Sequence, residues 1–131
     1  MRQPPLILII DDERDFLEIA ASYLKRAGFA VETANNAVAS LKKAQEILPD
    51  LILLDINMPD INGTEVLIDF LKNPATKNLK IAFLTNLTMP WPGIQGDPGQ
   101  FARGLGAVDF LNKTTDIDNL AERVREILSR K

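Results

Sequence analysis

An α/β fold with a mainly parallel sheet is what this sequence predicts, and three observations predict it. Short apolar, largely β-branched runs recur along the chain, at Leu6–Ile10, Phe29–Thr33, Leu51–Leu54, Leu79–Thr85 and Ala107–Leu111. Stretches with apolar residues at helical spacing separate them. Most joints between the two are short and marked by Gly, Pro or Asn. Strands alternating with helices imply right-handed βαβ crossovers and helices on both faces of the sheet. For five strands the expected arrangement is a flavodoxin-like doubly wound sheet of order 2-1-3-4-5.

Each element has its own justification. Pro4 and Pro5 precede the first run, where a strand start tolerates proline. From Asp15 the period lengthens, and Phe16, Ile19, Ala20, Tyr23, Leu24 and Ala27 mark one helical face. Lys25 and Arg26 suit its last turn, and Gly28 stops it. After the Phe29–Thr33 strand, Asn35 or Asn36 caps a second helix. Its expected face is Val38, Leu41, Ala44 and Leu48 with Ile47 beside it, and Pro49 ends it. The third strand is a continuous apolar run ending in Asp55, the pattern of a strand buried on both faces. Beyond the turn from Pro59 to Gly63, Thr64 is the expected cap of a helix burying Val66, Leu67, Phe70 and Leu71. Asn73-Pro74 breaks that helix. The closing helix, Asp116 to Leu128, buries Ile117, Leu120, Ala121, Val124, Ile127 and Leu128.

One region does not fit the rhythm. Met89 to Gly99 holds three prolines and three glycines, which exclude a helix over most of it. Only Gln100 to Leu105 is left for a short, irregular fourth helix, with Trp91 exposed to two roles, partner anchor or packed cover.

Composition narrows the function. At 131 residues and 46% hydrophobic, residues 1–131 make one domain with a real core and no room for a second, output, domain. A net charge of -3 argues against a nucleic-acid surface. There is no cysteine and no histidine, so disulfides, thiolate chemistry and a His base or ligand are excluded. No apolar run approaches the roughly 20 residues that span a bilayer, and Met1 to Pro5 lacks the apolar core of a signal peptide. A cytoplasmic location without membrane contact is the expectation.

In the order 2-1-3-4-5 the first and third strands are neighbours across the topological switch point, where such sheets bind ligands. Asp11 and Asp12 then meet Asp55 at one carboxyl edge. Three carboxylates so close cannot all stay ionised without a cation. Hard oxygen donors without His or Cys favour Mg2+. Thr85 closes the fourth strand with a hydroxyl, and Lys113 follows the fifth with a point charge suited to a phosphoryl oxygen. Individually each is an ordinary residue: acidic pairs open helices, and lysines populate loops. Together they describe a phosphoryl-transfer site.

These residues, with Met58-Pro59, Gly63, Gly106-Ala107 and Phe110-Leu111-Asn112-Lys113, resemble the receiver domain of two-component response regulators over essentially the whole chain. The resemblance implies that Asp55 is the phosphoacceptor, attacking a phosphohistidine on a sensor histidine kinase or histidine phosphotransfer protein. It implies that Asp12 binds Mg2+ directly, Asp11 mostly through water, and Asn57 through its backbone carbonyl. Thr85 and Lys113 would hold the phosphoryl oxygens. Phe110 would be the aromatic switch coupled to Thr85, and the output a changed affinity for a downstream protein rather than turnover of a substrate.

Three departures accompany the resemblance. Thr114 follows Lys113 where the family usually has proline, Asn86 follows Thr85 where a small residue is usual, and the segment before the fourth helix is long and rich in Pro and Gly. Two rival functions remain in view: a degenerate receiver that binds partners without phosphorylation, and a haloacid-dehalogenase-like phosphatase. The second needs an acid two residues after Asp55, and Asn57 cannot supply that proton. A dinucleotide-binding domain is disfavoured because Asp11-Asp12-Glu13 stands where a glycine-rich loop belongs.

Overall fold

In the computed structural model, which describes residues 2–59, 61–86 and 96–130, five parallel strands form one sheet. They are β1 (Leu6–Ile10), β2 (Ala30–Ala34), β3 (Leu51–Leu54), β4 (Ile81–Thr85) and β5 (Asp109–Asn112), in the order β2-β1-β3-β4-β5. Successive side chains of a strand point to opposite faces, and the sheet uses both. Ile7, Ile9, Leu51, Leu53, Ala82, Leu84 and Leu111 pack under α1 (Arg14–Arg26) and α5 (Leu120–Ser129). Leu8, Ile10, Ile52, Leu54, Ile81 and Phe83 pack under α2 (Ala37–Ile47), α3 (Gly63–Lys72) and α4 (Pro98–Leu105). A 3-10 turn at Ile117–Asn119 leads into α5.

The expected strand order is the observed one; the details of several elements differ. The second strand starts at Ala30, one residue after Phe29, and the fifth spans Asp109–Asn112 rather than Ala107–Leu111. Helix α1 buries Leu17, Ala20, Ala21 and Leu24, while Ile19 and Tyr23 from the expected face are exposed. In α2 the buried residues are Ala37, Ser40 and Ala44, and Val38 and Leu48 face solvent. Small side chains make up the buried residues of α2 and half of those of α1. Asn36 caps α2, accepting from the Ala39 N–H at 2.8 Å. The cap of α3 is Asn62, not Thr64; it accepts from the Thr64 N–H at 2.8 Å. An antiparallel bridge between Asn57 and Asn62 closes the loop after β3 and puts Asn62 at that position.

Helix α4 begins two residues earlier than Gln100. Asp97 accepts from the Gly99 N–H at 3.0 Å, and Pro98 occupies the first turn, where its missing N–H removes no bond. Residues 87–95, and with them Trp91 and most of the Met89–Gly99 segment, lie outside the described residues. Edge strand β2 has its own arrangement: Lys43 donates to the Thr33 carbonyl at 2.9 Å and pairs with Glu32 at 3.2 Å.

Candidate functional site

The site is built from strand ends. The N–H of Asp55 donates to the Ile10 carbonyl at 3.0 Å, and that of Asp11 to the Ala34 carbonyl at 3.1 Å, so the ladder runs on into both aspartates. One oxygen from each of Asp11, Asp12 and Asp55 falls in a group whose members lie within 4.8 Å of one another. Asp11 and Asp55 are buried, and Asp12 is exposed at the mouth.

Gly63 makes this geometry possible. Its N–H donates to the Ile56 carbonyl at 2.7 Å, bringing the start of α3 against the backbone that carries Asp55. A Cβ at position 63 would collide with the Asp55 carbonyl oxygen and lie 2.6 Å from Ile56 Cα. Only glycine permits that approach.

Lys113 comes in from β5. Its backbone N–H donates to the Thr85 carbonyl at 2.8 Å. Its ammonium lies 2.6 Å from Asp11, 2.8 Å from Glu13 and 3.6 Å from Asp55, and 4.3 Å from the centre of the Phe16 ring. The Lys113–Thr114 peptide is trans. The turn is shaped instead by Asn112, whose buried side-chain oxygen accepts from the N–H groups of Thr114 at 2.8 Å and Thr115 at 3.2 Å. Asp116 braces it, accepting from the Asn112 N–H at 2.7 Å.

Electrostatics follow from burial and from the count of charges. Burial raises the Asp55 pKa to about 6, with the Asp11 charge adding to the rise; Lys113, the Asn57 N–H and a hydrogen bond with Thr85 oppose it. Burial also raises that of Asp11, against the hydrogen bonds from Lys113 and Glu13 N–H. Burial of Lys113 works to lower its pKa, but hydrogen bonds to Asp11 and Glu13 and the charges of Asp55 and Asp11 prevail, and the net shift is upward. The ammonium therefore stays charged, while the two buried acids are held short of positive charge. A hard divalent cation fits this set of oxygen donors.

Of the residues singled out in the sequence, Asp11, Asp12, Asp55, Thr85 and Lys113 converge. Asn57 sits at the rim, its N–H 3.4 Å from Asp55 Oδ1. Phe110 is half-buried, next to Phe83 in the sheet register and packed on the α2/α3/α4 side of the core. Sequence reasoning missed Glu13, Phe16, Asn112 and Asp116. The Asn112–Asp116 spacing was a readable turn signal; the Glu13–Lys113 contact joins residues 100 apart and left no local mark.

Comparison with known proteins gives a consistent result. The family model described as response regulator receiver domain matches residues 7–125. The chain is 34% identical over 131 residues to the response regulator Rre1 of Synechocystis, covering 99% of this chain and 54% of that protein. It is 32% identical over 126 residues to the DNA-binding dual master transcriptional regulator RpaA of Synechocystis, covering 96% of this chain and 50% of that protein. The chain spans about half or less of the length of the curated relatives it matches. Among solved structures, the chemotaxis response regulator CheY4 of Vibrio cholerae superposes with a TM-score of 0.79 at 28% identity, covering 94% of this chain and 98% of that one. A CheY-like receiver domain protein of Methanospirillum hungatei superposes with a TM-score of 0.78 at 28% identity, covering 95% and 93%.

Proposed function

This chain belongs to the response regulator receiver family, and from that premise we propose that Asp55 accepts a phosphoryl group from a phosphohistidine of a partner kinase or phosphotransfer protein. The observation that carries the reading is the grouping of Asp11, Asp12 and Asp55 with Lys113 3.6 Å from the acceptor. Asp11, Asp12, Asp55 and the Asn57 carbonyl would hold Mg2+, which when bound offsets negative charge on the carboxylates and on the incoming phosphoryl oxygens.

The chain's own groups do the rest. The Asp55 carboxylate is the nucleophile: its oxygen forms the new bond to phosphorus as the bond to the imidazole nitrogen breaks and that nitrogen keeps the electron pair. Lys113 supplies a fixed positive charge to the transferred oxygens, and the Thr85 hydroxyl, already bonded to Asp55, turns to one of them. Phe110 lies on the neighbouring strand, opposite Phe83 and two register positions before Asn112, the partner of Thr85, so a shift of Thr85 would alter packing around the aromatic ring and hence the surface offered to a downstream protein. Output is a change in binding.

Incubation of the purified chain with acetyl phosphate and Mg2+, followed by intact mass measurement, tests the reading. A single phosphoryl adduct that disappears in Asp55→Asn is expected. An unmodified wild-type chain under the same conditions would overturn it.

A further inference from the structure

Lys113 is not aimed at Asp55. Its two short contacts are Asp11 at 2.6 Å and Glu13 at 2.8 Å, both within the range of charge-assisted hydrogen bonds, and Asp55 at 3.6 Å is outside it. The Phe16 ring lies against the same ammonium at 4.3 Å. Among the described residues, every ion pair made by Asp11, Glu13 and Asp55 is to this one lysine. Glu13 stands at the N-cap position of α1, yet its side chain makes no cap hydrogen bond. Its backbone N–H is held by Asp11 Oδ1 at 2.9 Å, and its carboxylate is directed to Lys113.

We propose that Glu13 is a positioning residue that parks Lys113 away from the phosphoacceptor and thereby sets how readily the site takes a phosphoryl anion. The proposal rests on the reading of Asp55 as acceptor. A phosphoryl group on Asp55 needs the ammonium, whose third hydrogen is uncommitted but whose nitrogen stands 3.6 Å from Asp55, beyond hydrogen-bond range. Bringing it closer means moving it off the 2.8 Å Glu13 contact while Asp11 retains its own. The Glu13 side chain is 57% exposed against 6% for Lys113, so Glu13 exchanges its partner for water cheaply, whereas the lysine cannot leave the site. Release is therefore a swing of Glu13, with Lys113 moving only the short distance to Asp55. The restraint is weak enough to be overcome by an anion and strong enough to slow its entry.

Two readouts on the full chain test this with Glu13→Gln, and Asp15→Asn serves as a control that removes a nearby exposed charge without touching Lys113. First, the Lys113 ammonium resonance is recorded by 15N NMR with no metal or phosphoryl donor present. It should shift in Glu13→Gln and stay in place in Asp15→Asn. Second, binding of beryllofluoride, a phosphoryl mimic, is titrated at saturating Mg2+. Glu13→Gln should tighten it by about 2–5-fold, the scale of one partly exposed ion pair, and the gain should vanish in a Lys113→Ala background. An unmoved Lys113 resonance overturns the proposal. So does an equal gain in the Lys113→Ala background, because Glu13 would then act only through its general field. Failure of the wild type to bind beryllofluoride sinks the acceptor reading instead, and the resonance still decides whether Glu13 holds the lysine.

Discussion

Asp55 and Asp109 are the same residue type at nearly the same depth, 3% and 6% exposed, on the same sheet. Their surroundings differ completely. Asp109 Oδ2 receives Arg130 at 2.9 Å and Arg123 at 3.3 Å, while its Oδ1 faces Arg103 at 3.7 Å and accepts from the Phe110 N–H at 2.7 Å. Asp55 has one lysine at 3.6 Å, shared with two other acids. A buried carboxylate surrounded by guanidinium groups fastens α4, β5 and α5 together and has little left to bind. One left short of positive charge keeps a standing affinity for cations and for chemistry that neutralises it. Depth is the common property, and the supply of counter-charge separates the structural role of Asp109 from the role proposed for Asp55.

The contrast makes opposite predictions for one substitution. Asp109→Asn should destabilise the fold by about 2 kcal/mol in urea unfolding, because three arginines lose the charge they converge on. No loss of stability would mean the arginines are satisfied elsewhere. Asp55→Asn should stabilise by about 2–3 kcal/mol at pH 7. The sign follows from the raised pKa of about 6 in the folded chain. The native state binds the proton more tightly than the unfolded chain, so wild-type stability falls as pH rises from about 4 through 6. The gain in Asp55→Asn should therefore be absent below about pH 4 and complete above about pH 7, as read from unfolding curves of the two proteins across pH.

A third prediction sharpens the same difference with metal. Mg2+ at ten times its dissociation constant should stabilise the wild type by about 1.4 kcal/mol, a thermal shift of a few degrees. Asp109→Asn should keep that shift and Asp55→Asn should lose most of it. The smallest effect is expected at the periphery. Arg103, almost half exposed in its pairs with Asp97 and Asp109, should cost no more than about 0.5 kcal/mol when replaced by alanine.

The strands and their order were legible because buried parallel strands are short continuous apolar runs, and the end of each run is a single readable position. That is how Asp11, Asp12, Asp55, Thr85 and Lys113 were found. Helix faces were harder. On α1 the large residues Ile19 and Tyr23 drew the stripe toward solvent: Ala20 and Leu24 lie on the expected face and are buried, but Leu17 and Ala21, buried beside them, lie off it. Alanine carries too little hydrophobicity to announce itself, although a helix lying close on a sheet needs small residues. The cap of α3 was misplaced for another reason: Asn62 is selected by its bridge to Asn57, a loop contact with no periodicity. Glu13 was invisible because its partner is a hundred residues away, and nothing in a local spacing reports which of several acids a lysine will choose.

Lys43 has a consequence beyond the site. Strand β2 is an open edge, and open edges offer unpaired carbonyl and amide groups to any extended chain that passes. By donating into the Thr33 carbonyl and pairing with Glu32 on the same strand, Lys43 occupies a rung on which another strand would have to begin. A copy approaching edge-on meets a charged side chain and an acceptor already taken. On this edge one lysine, reaching over from a helix, blocks a rung against edge-to-edge pairing, and it leaves the carboxyl end of the sheet uncovered.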